Sequence, residues 1–191
     1  MSRARGRPAR GQGVTRDEIL SAALLLLDED GASLGMRALA ARLGVTPMSL
    51  YHHVGDRAGL LQALSGHVYG AVLEDGAAAA GPRAAILSLL VRYHEAVGRH
   101  PQLTLAIFAE PAAFAGTAQR ITENLTRLLC ALTPEYRLWC DILVDHAHGS
   151  ALALCAARGD TRQLEAMRSQ YRQALDCMLE RLAQPGNGSA S

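Results

Sequence analysis

Met36-Arg-Ala-Leu-Ala-Ala-Arg-Leu-Gly-Val-Thr-Pro-Met-Ser-Leu-Tyr-His-His-Val54 is the stretch that decides the fold. It spells two short helices around a glycine. Over 36–43, Leu39, Ala40 and Leu43 recur on one side, and Gly44 ends the first helix. Thr46 followed by Pro47 opens the second: an oxygen-bearing cap, then a proline at the first helical position, where its missing N–H costs nothing. Two helices crossing at about 90–120° need a small residue where they touch, a glycine in the turn, and apolar side chains locking both to a core. Ala40, Gly44, and the set Leu39, Leu43, Val45 and Leu50 meet those needs. The second helix, 47–54, is too short and polar to stand alone. It turns Pro47, Met48, Ser49, Tyr51, His52 and His53 outward, as a helix that enters the major groove of DNA does.

Outward from this stretch the same grammar continues. Upstream, Thr15 and Glu18 have capping-box spacing, and Ile19, Ala22, Ala23, Leu26 and Leu27 recur helically up to Gly31, which predicts a helix over 15–30. Downstream, Asp56 caps a helix expected over 57–75 with Leu60, Leu61, Leu64, Val68 and Val72 in line. Proline and glycine then mark helices at 82–98, 101–110, 116–132, 134–158 and 161–183. No alternating strand pattern and no internal repeat interrupts them. The expectation is an all-α chain of about nine helices. A disordered arm at 1–14 precedes a helix-turn-helix domain at 15–57, a helical effector-binding and dimerisation domain at 58–184, and a disordered tail at 185–191.

Composition agrees. Of 191 residues, 49% are hydrophobic and 19% charged, which excludes a disordered chain. Every basic residue among the 19 is arginine, and the net charge is only +1. Five of them, Arg3, Arg5, Arg7, Arg10 and Arg16, fall in the first 16 residues with no acid, so a basic arm precedes a mildly acidic body, the asymmetry of a chain that reaches for a polyanion with one end. Arg5-Gly-Arg7-Pro8 matches the core of an AT-hook, an extended segment that lies in a narrow A·T minor groove; the alternative is non-specific phosphate contact.

The apolar run from Ile19 to Leu27 is broken by Ser21 and closed by three acids, so neither a bilayer span nor a signal peptide is expected, and a cytoplasmic location is. Cys130, Cys140, Cys155 and Cys177 have no metal or redox spacing and read as reduced, buried, small apolar residues. His146 and His148, two apart on a helix, point to different sides and suit a pocket or interface with Asp145 better than a metal. His100 suits capping or packing. With no nucleophile, base and orienter set and no phosphate loop, neither catalysis, cofactor nor metal is expected.

The block from Gly31 to Leu64 resembles the tetracycline repressor (TetR) family of bacterial transcriptional regulators. The likeness rests on Leu39-Ala-x-x-Leu-Gly-Val45, Leu50-Tyr51-x-His53-Val54 and Asp56-Arg57-x-x-Leu60-Leu61. It implies an all-helical homodimer whose first three helices bind a palindromic operator, whose body holds a small-molecule pocket, and whose last two helices form a four-helix interface. It implies a guanine-reading role for Arg37, base contact by Pro47, Met48 and Ser49, and phosphate contact by Tyr51 and His53. Thr46, His52 and Arg57 complete the DNA-facing set. Two departures stand out: Arg57 replaces the family's usual lysine, and Gly55 replaces a residue that is often basic.

In the body, the scarce large side chains Tyr93, His94, Phe108, Trp139 and His146 are the effector candidates. The last two helices carry more apolar surface than one neighbour can cover. Leu138, Ile142, Leu152, Leu164, Tyr171, Leu175 and Leu179 are therefore the candidates for a homodimer interface. The chain reads as a ligand-released repressor; a ligand-blind DNA-binding regulator and a helical small-molecule binder with a vestigial helix-turn-helix are the alternatives.

Overall fold

A computed structural model of the chain describes residues 13–30, 34–74, 81–157 and 160–183. The expected arm, with Arg5 and Arg7, and the expected tail lie outside the described residues. Among those described there are nine α-helices, two 3-10 turns and no strand. The helices are α1 (Arg16–Asp30), α2 (Met36–Leu43), α3 (Pro47–Val54), α4 (Arg57–Tyr69), α5 (Pro82–Arg99), α6 (Pro101–Phe108), α7 (Thr117–Cys130), α8 (Tyr136–Ala156) and α9 (Thr161–Ala183).

The capping box at α1 forms as its spacing predicts. Thr15 N and Oγ1 donate to Glu18 Oε2 at 2.7 and 2.8 Å and hold its carboxyl below the usual range, while Glu18 N donates back to Thr15 Oγ1 at 3.2 Å. The helix expected over 57–75 is shorter. After Tyr69 the chain tightens into the 3-10 turn Gly70–Leu73, whose three-residue period brings buried Val72 onto the same side as buried Tyr69. α6 stops at Phe108 and not at 110 because Pro111 biases Glu110 away from helical geometry; Glu110 has φ −132° and ψ 86°.

α1 lays Ile19, Leu20, Ala23, Leu26 and Leu27 against α2, α4 and α6. α5 runs through the middle of the remainder, buried at Ile86, Leu89, Leu90, Tyr93, His94, Ala96 and Val97, with α7 and α8 as its main neighbours. α9 closes over α5 and α8. Only part of the cysteine expectation holds: Cys140 is buried, whereas Cys130, Cys155 and Cys177 are exposed.

Candidate DNA-reading head and effector cavity

α2 and α3 meet as the sequence requires. Gly44 sits at φ 66°, ψ 26°, a left-handed cap open to glycine without strain, and Val45 N returns a 3.0 Å hydrogen bond to the Ala40 carbonyl. The Thr46 side chain accepts from Ser49 N at 3.3 Å, capping α3 one residue before Pro47. Leu50 and Val54 pin α3 to the core. Pro47, Met48, Tyr51, His52 and His53 all stand exposed, Met48 at 63%, and Ser49 is half-buried. Arg37 is exposed beside them on α2 and makes no hydrogen bond or ion pair among the described residues.

The α3–α4 junction is built for close approach. Asp56 Oδ1 accepts from Gly59 N at 2.8 Å, and a Cβ on Gly59 would fall 2.2 Å from the Val54 carbonyl oxygen, so only glycine fits there. Sequence reasoning overlooked Gly59, although a glycine three residues after a capping Asp was visible.

Arg57, expected at the DNA, is occupied within the protein: its Nε donates to the Leu34 carbonyl at 3.2 Å and its Nη1 lies 3.5 Å from Glu110 Oε2. It is the first of three tethers along α4. Gln62 Nε2 donates to the Ala112 carbonyl at 2.8 Å, and the Tyr69 hydroxyl pairs with Thr104 Oγ1 at 2.8 Å. Apart from Leu34, their partners Glu110, Ala112 and Thr104 fall within residues 104–112, the α6 segment and its exit.

That segment also walls a cavity of about 40 Å³, lined by Tyr69, Tyr93, Thr104, Ile107, Phe108, Phe114, Ala118, Thr122, Val144 and His148. Tyr93 OH and His148 Nε2 are 2.7 Å apart, and the Phe108 ring meets the His148 ring edge-on at 4.9 Å. Burial lowers the His148 pKa, with Asp145 opposing; burial pushes Tyr69 up to about 12 against its Thr104 bond, and pushes Tyr93 up as well, with Tyr69 adding to it. The lining is therefore uncharged at neutral pH. Phe108 and Phe114 are 56% and 44% exposed and form the outer wall. Two larger grooves of about 560 Å³ are open and arginine-lined, one by Arg92, Arg120 and Arg127, the other by Arg99, Arg168 and Arg172, and neither suits an apolar effector.

Of the expected effector residues, Tyr93 and Phe108 reach the cavity. His94, Trp139 and His146 do not. His94 and His146 instead stack on the Tyr171 ring at centroid distances of 3.8 and 5.2 Å, on another side of α5, and Trp139 is half-buried against the core. His148, read with His146 as a pocket or interface group but left out of the effector set, is the α8 histidine that lines the cavity. It continues the Cys140, Leu143, Val144, Ala147, Ala151 stripe at helical spacing, which His146 does not, and that stripe was legible.

The interface expectation also divides. Leu138 and Ile142 are 59% and 39% exposed, and Leu152 and Leu164 are half-buried. Tyr171, Leu175 and Leu179 are buried within the chain itself, Tyr171 with its hydroxyl on the Leu90 carbonyl at 3.1 Å, so they offer no free surface to a second copy. The sequence count assumed α9 had one apolar neighbour; α5 is the second. No group of three His, Cys, Asp or Glu suited to a metal occurs among the described residues, and no helix there is long and apolar enough to cross a membrane.

The geometry defines a helix-turn-helix head tethered to a helical body. Residues 19–64 match the sequence profile described as "Bacterial regulatory proteins, tetR family". The whole fold superposes on solved TetR-like regulators. Mycobacterium smegmatis BioQ gives a TM-score of 0.71 at 24% identity, over 89% of this chain and 98% of that one, and BioQ has also been solved with its natural double-stranded DNA operator. SCO7222, a TetR from Streptomyces coelicolor, gives 0.67 at 25% identity over 89% and 98%. A TetR variant from Acinetobacter baumannii AYE in complex with minocycline gives 0.65 at 24% identity over 90% and 99%. No curated protein matches the chain in sequence. Residues 19–64 are thus a tetR-family DNA-binding helix-turn-helix domain, and the body behind it has the helical fold of the TetR-like regulators.

Proposed function

We propose that the chain is a homodimeric repressor that holds a palindromic operator and is released from it by a small, uncharged, largely apolar ligand. On this reading 15–57 is the DNA-binding domain and 58–184 the effector and dimerisation domain. The observation that carries it is the head: a short capped helix whose outward side chains stand exposed, next to an arginine without a partner among the described residues. Arg37 is suited to a guanine edge, Met48, Ser49 and His52 to the groove floor, and Tyr51 and His53 to phosphates. Leu138 and Ile142 supply the apolar face for a second copy.

Release follows from the tethers. Two recognition helices must lie about 34–36 Å apart to occupy successive major grooves. A ligand entering the cavity has to displace Phe108, because about 40 Å³ holds little more than a water molecule. Moving Phe108 moves the segment that grips α4 at Arg57, Gln62 and Tyr69. The ligand acts only by its differential affinity for the two spacings, and about 5.5 kcal/mol takes occupancy from 99:1 to 1:99. The smallness of the closed cavity also favours a second reading, a ligand-blind regulator. Selection of bound duplexes from a random pool, followed by a screen of uncharged aromatic compounds for loss of binding, tests both: palindromic winners released by a screened compound support the repressor, and winners that no compound releases favour the second reading.

A further inference from the structure

α3 lacks every side chain that reads a purine through two hydrogen bonds. Its sequence, Pro47-Met-Ser-Leu-Tyr-His-His-Val54, contains no Arg, Lys, Asn or Gln, so the bidentate contacts to guanine and adenine are closed to it. At about 100° per residue, the face opposite the buried Leu50 and Val54 centres on Met48 and His52, four residues apart. Met48 lies in the first turn, the part of a recognition helix that meets base edges, and at 63% it is the most exposed of the large hydrophobic side chains among the described residues. Pro47, also exposed and without an N–H, adds apolar surface beside it.

A thioether there has no donor to offer. The one apolar feature in a major groove is the C5-methyl group of thymine. We infer that Met48 is a specificity-determining residue that selects a thymine in each operator half-site by packing on that methyl, a flexible, polarisable side chain suited to an irregular apolar contact. This rests on the DNA-binding reading above and adds the chemistry of what the head recognises. Hydrogen-bonded readout in the half-site then falls to Arg37 on α2 and to single contacts from Ser49 and His52.

The test uses the full chain and the duplex recovered from a random pool. Each thymine is replaced in turn by deoxyuridine, which removes only the methyl. One position per half-site weakens binding about fourfold, the scale of one buried methyl-sized group. The same substitution has no effect on Met48→Ala, whose side chain is exposed and whose loss leaves the core untouched, while Arg37→Ala keeps the response. At that position 5-methylcytosine binds more tightly than cytosine. Indifference to deoxyuridine everywhere, or a loss that persists in Met48→Ala, overturns the inference. A pool that yields no enriched duplex overturns the DNA-binding reading itself, and the inference with it.

Discussion

α5 carries a tyrosine and histidine cluster on each of two sides, and the two have opposite fates. On one side Tyr93 and His148 share a hydrogen bond beside a small cavity whose outer wall, Phe108, is more than half exposed. On the other, the rings of His94 and His146 both stack with Tyr171, and α9 seals the cluster with Leu175 and Leu179. The chemistry is nearly the same. What differs is the cover: one cluster lies under a short helix ending at a proline-restricted bend, the other under a 23-residue helix with its own buried stripe. A cavity with an exposed wall and a stack sealed by a long helix are thus separated by packing.

The largest effect that separates them is Leu175→Arg. It places a charge at a site with no solvent exposure and is expected to cost about 4 kcal/mol or more in urea unfolding, with α9 released. Phe108→Ala, on the open side, is expected to cost under about 1 kcal/mol because most of the ring is already wet. Similar losses for both would erase the distinction.

Next comes pH. Burial holds His94 at about 4, with His146, Arg168 and Arg172 opposing its charge, against 6.5 for the free group. The unfolded chain therefore takes up a proton that the folded chain refuses as pH falls below about 6.5. The stability that His94 contributes is complete above that pH and drains away towards pH 4, by about 3 kcal/mol in all. The slope of unfolding free energy between pH 6.5 and 4 is expected to flatten in His94→Gln, and an unchanged slope would remove His94 from the stack.

On the cavity side, Tyr93→Phe strips the partner from His148 Nε2 and is expected to cost about 1–3 kcal/mol. Tyr171→Phe removes a second hydrogen bond from a carbonyl that α5 itself already engages and is expected to cost about 1 kcal/mol, both read from denaturant midpoints.

Glu110→Gln has the smallest expected effect on folding, under about 1 kcal/mol, since both side chains of its pair with Arg57 are about a third exposed. It removes the carboxylate that competes with phosphate for Arg57, whose Nε keeps the Leu34 carbonyl, and the slope of log affinity against log salt is expected to steepen by up to about 0.9 per half-site. A salt slope equal to the parent's would show that Arg57 stays inside.

These contrasts also mark what the sequence could tell. The head was legible almost residue by residue, because capping oxygens, a turn glycine and a proline at the first helical position are local signals that need no partner. The body was legible as helices but not as contacts. His94 and His146 stood out as large polar residues. Whether a side chain faces a cavity or a stack depends on which helices cross beside it, and one helix's periodicity does not encode that. The α8 stripe carried enough information to prefer His148; the choice between α5 and a second chain as the cover for Tyr171, Leu175 and Leu179 was not encoded locally.

Gly59 has a mechanical consequence. Because the first turn of α4 sits against the last carbonyl of α3 with no room for a methyl group, the two helices form a rigid elbow. α4 has 13 residues and spans about 20 Å, so a swing of about 5° at its Tyr69 end carries Arg57 through about 2 Å, and the recognition helix travels with it undamped. Lever length, more than the strength of any one contact, sets how far a displacement at the Tyr69 end is carried to α3.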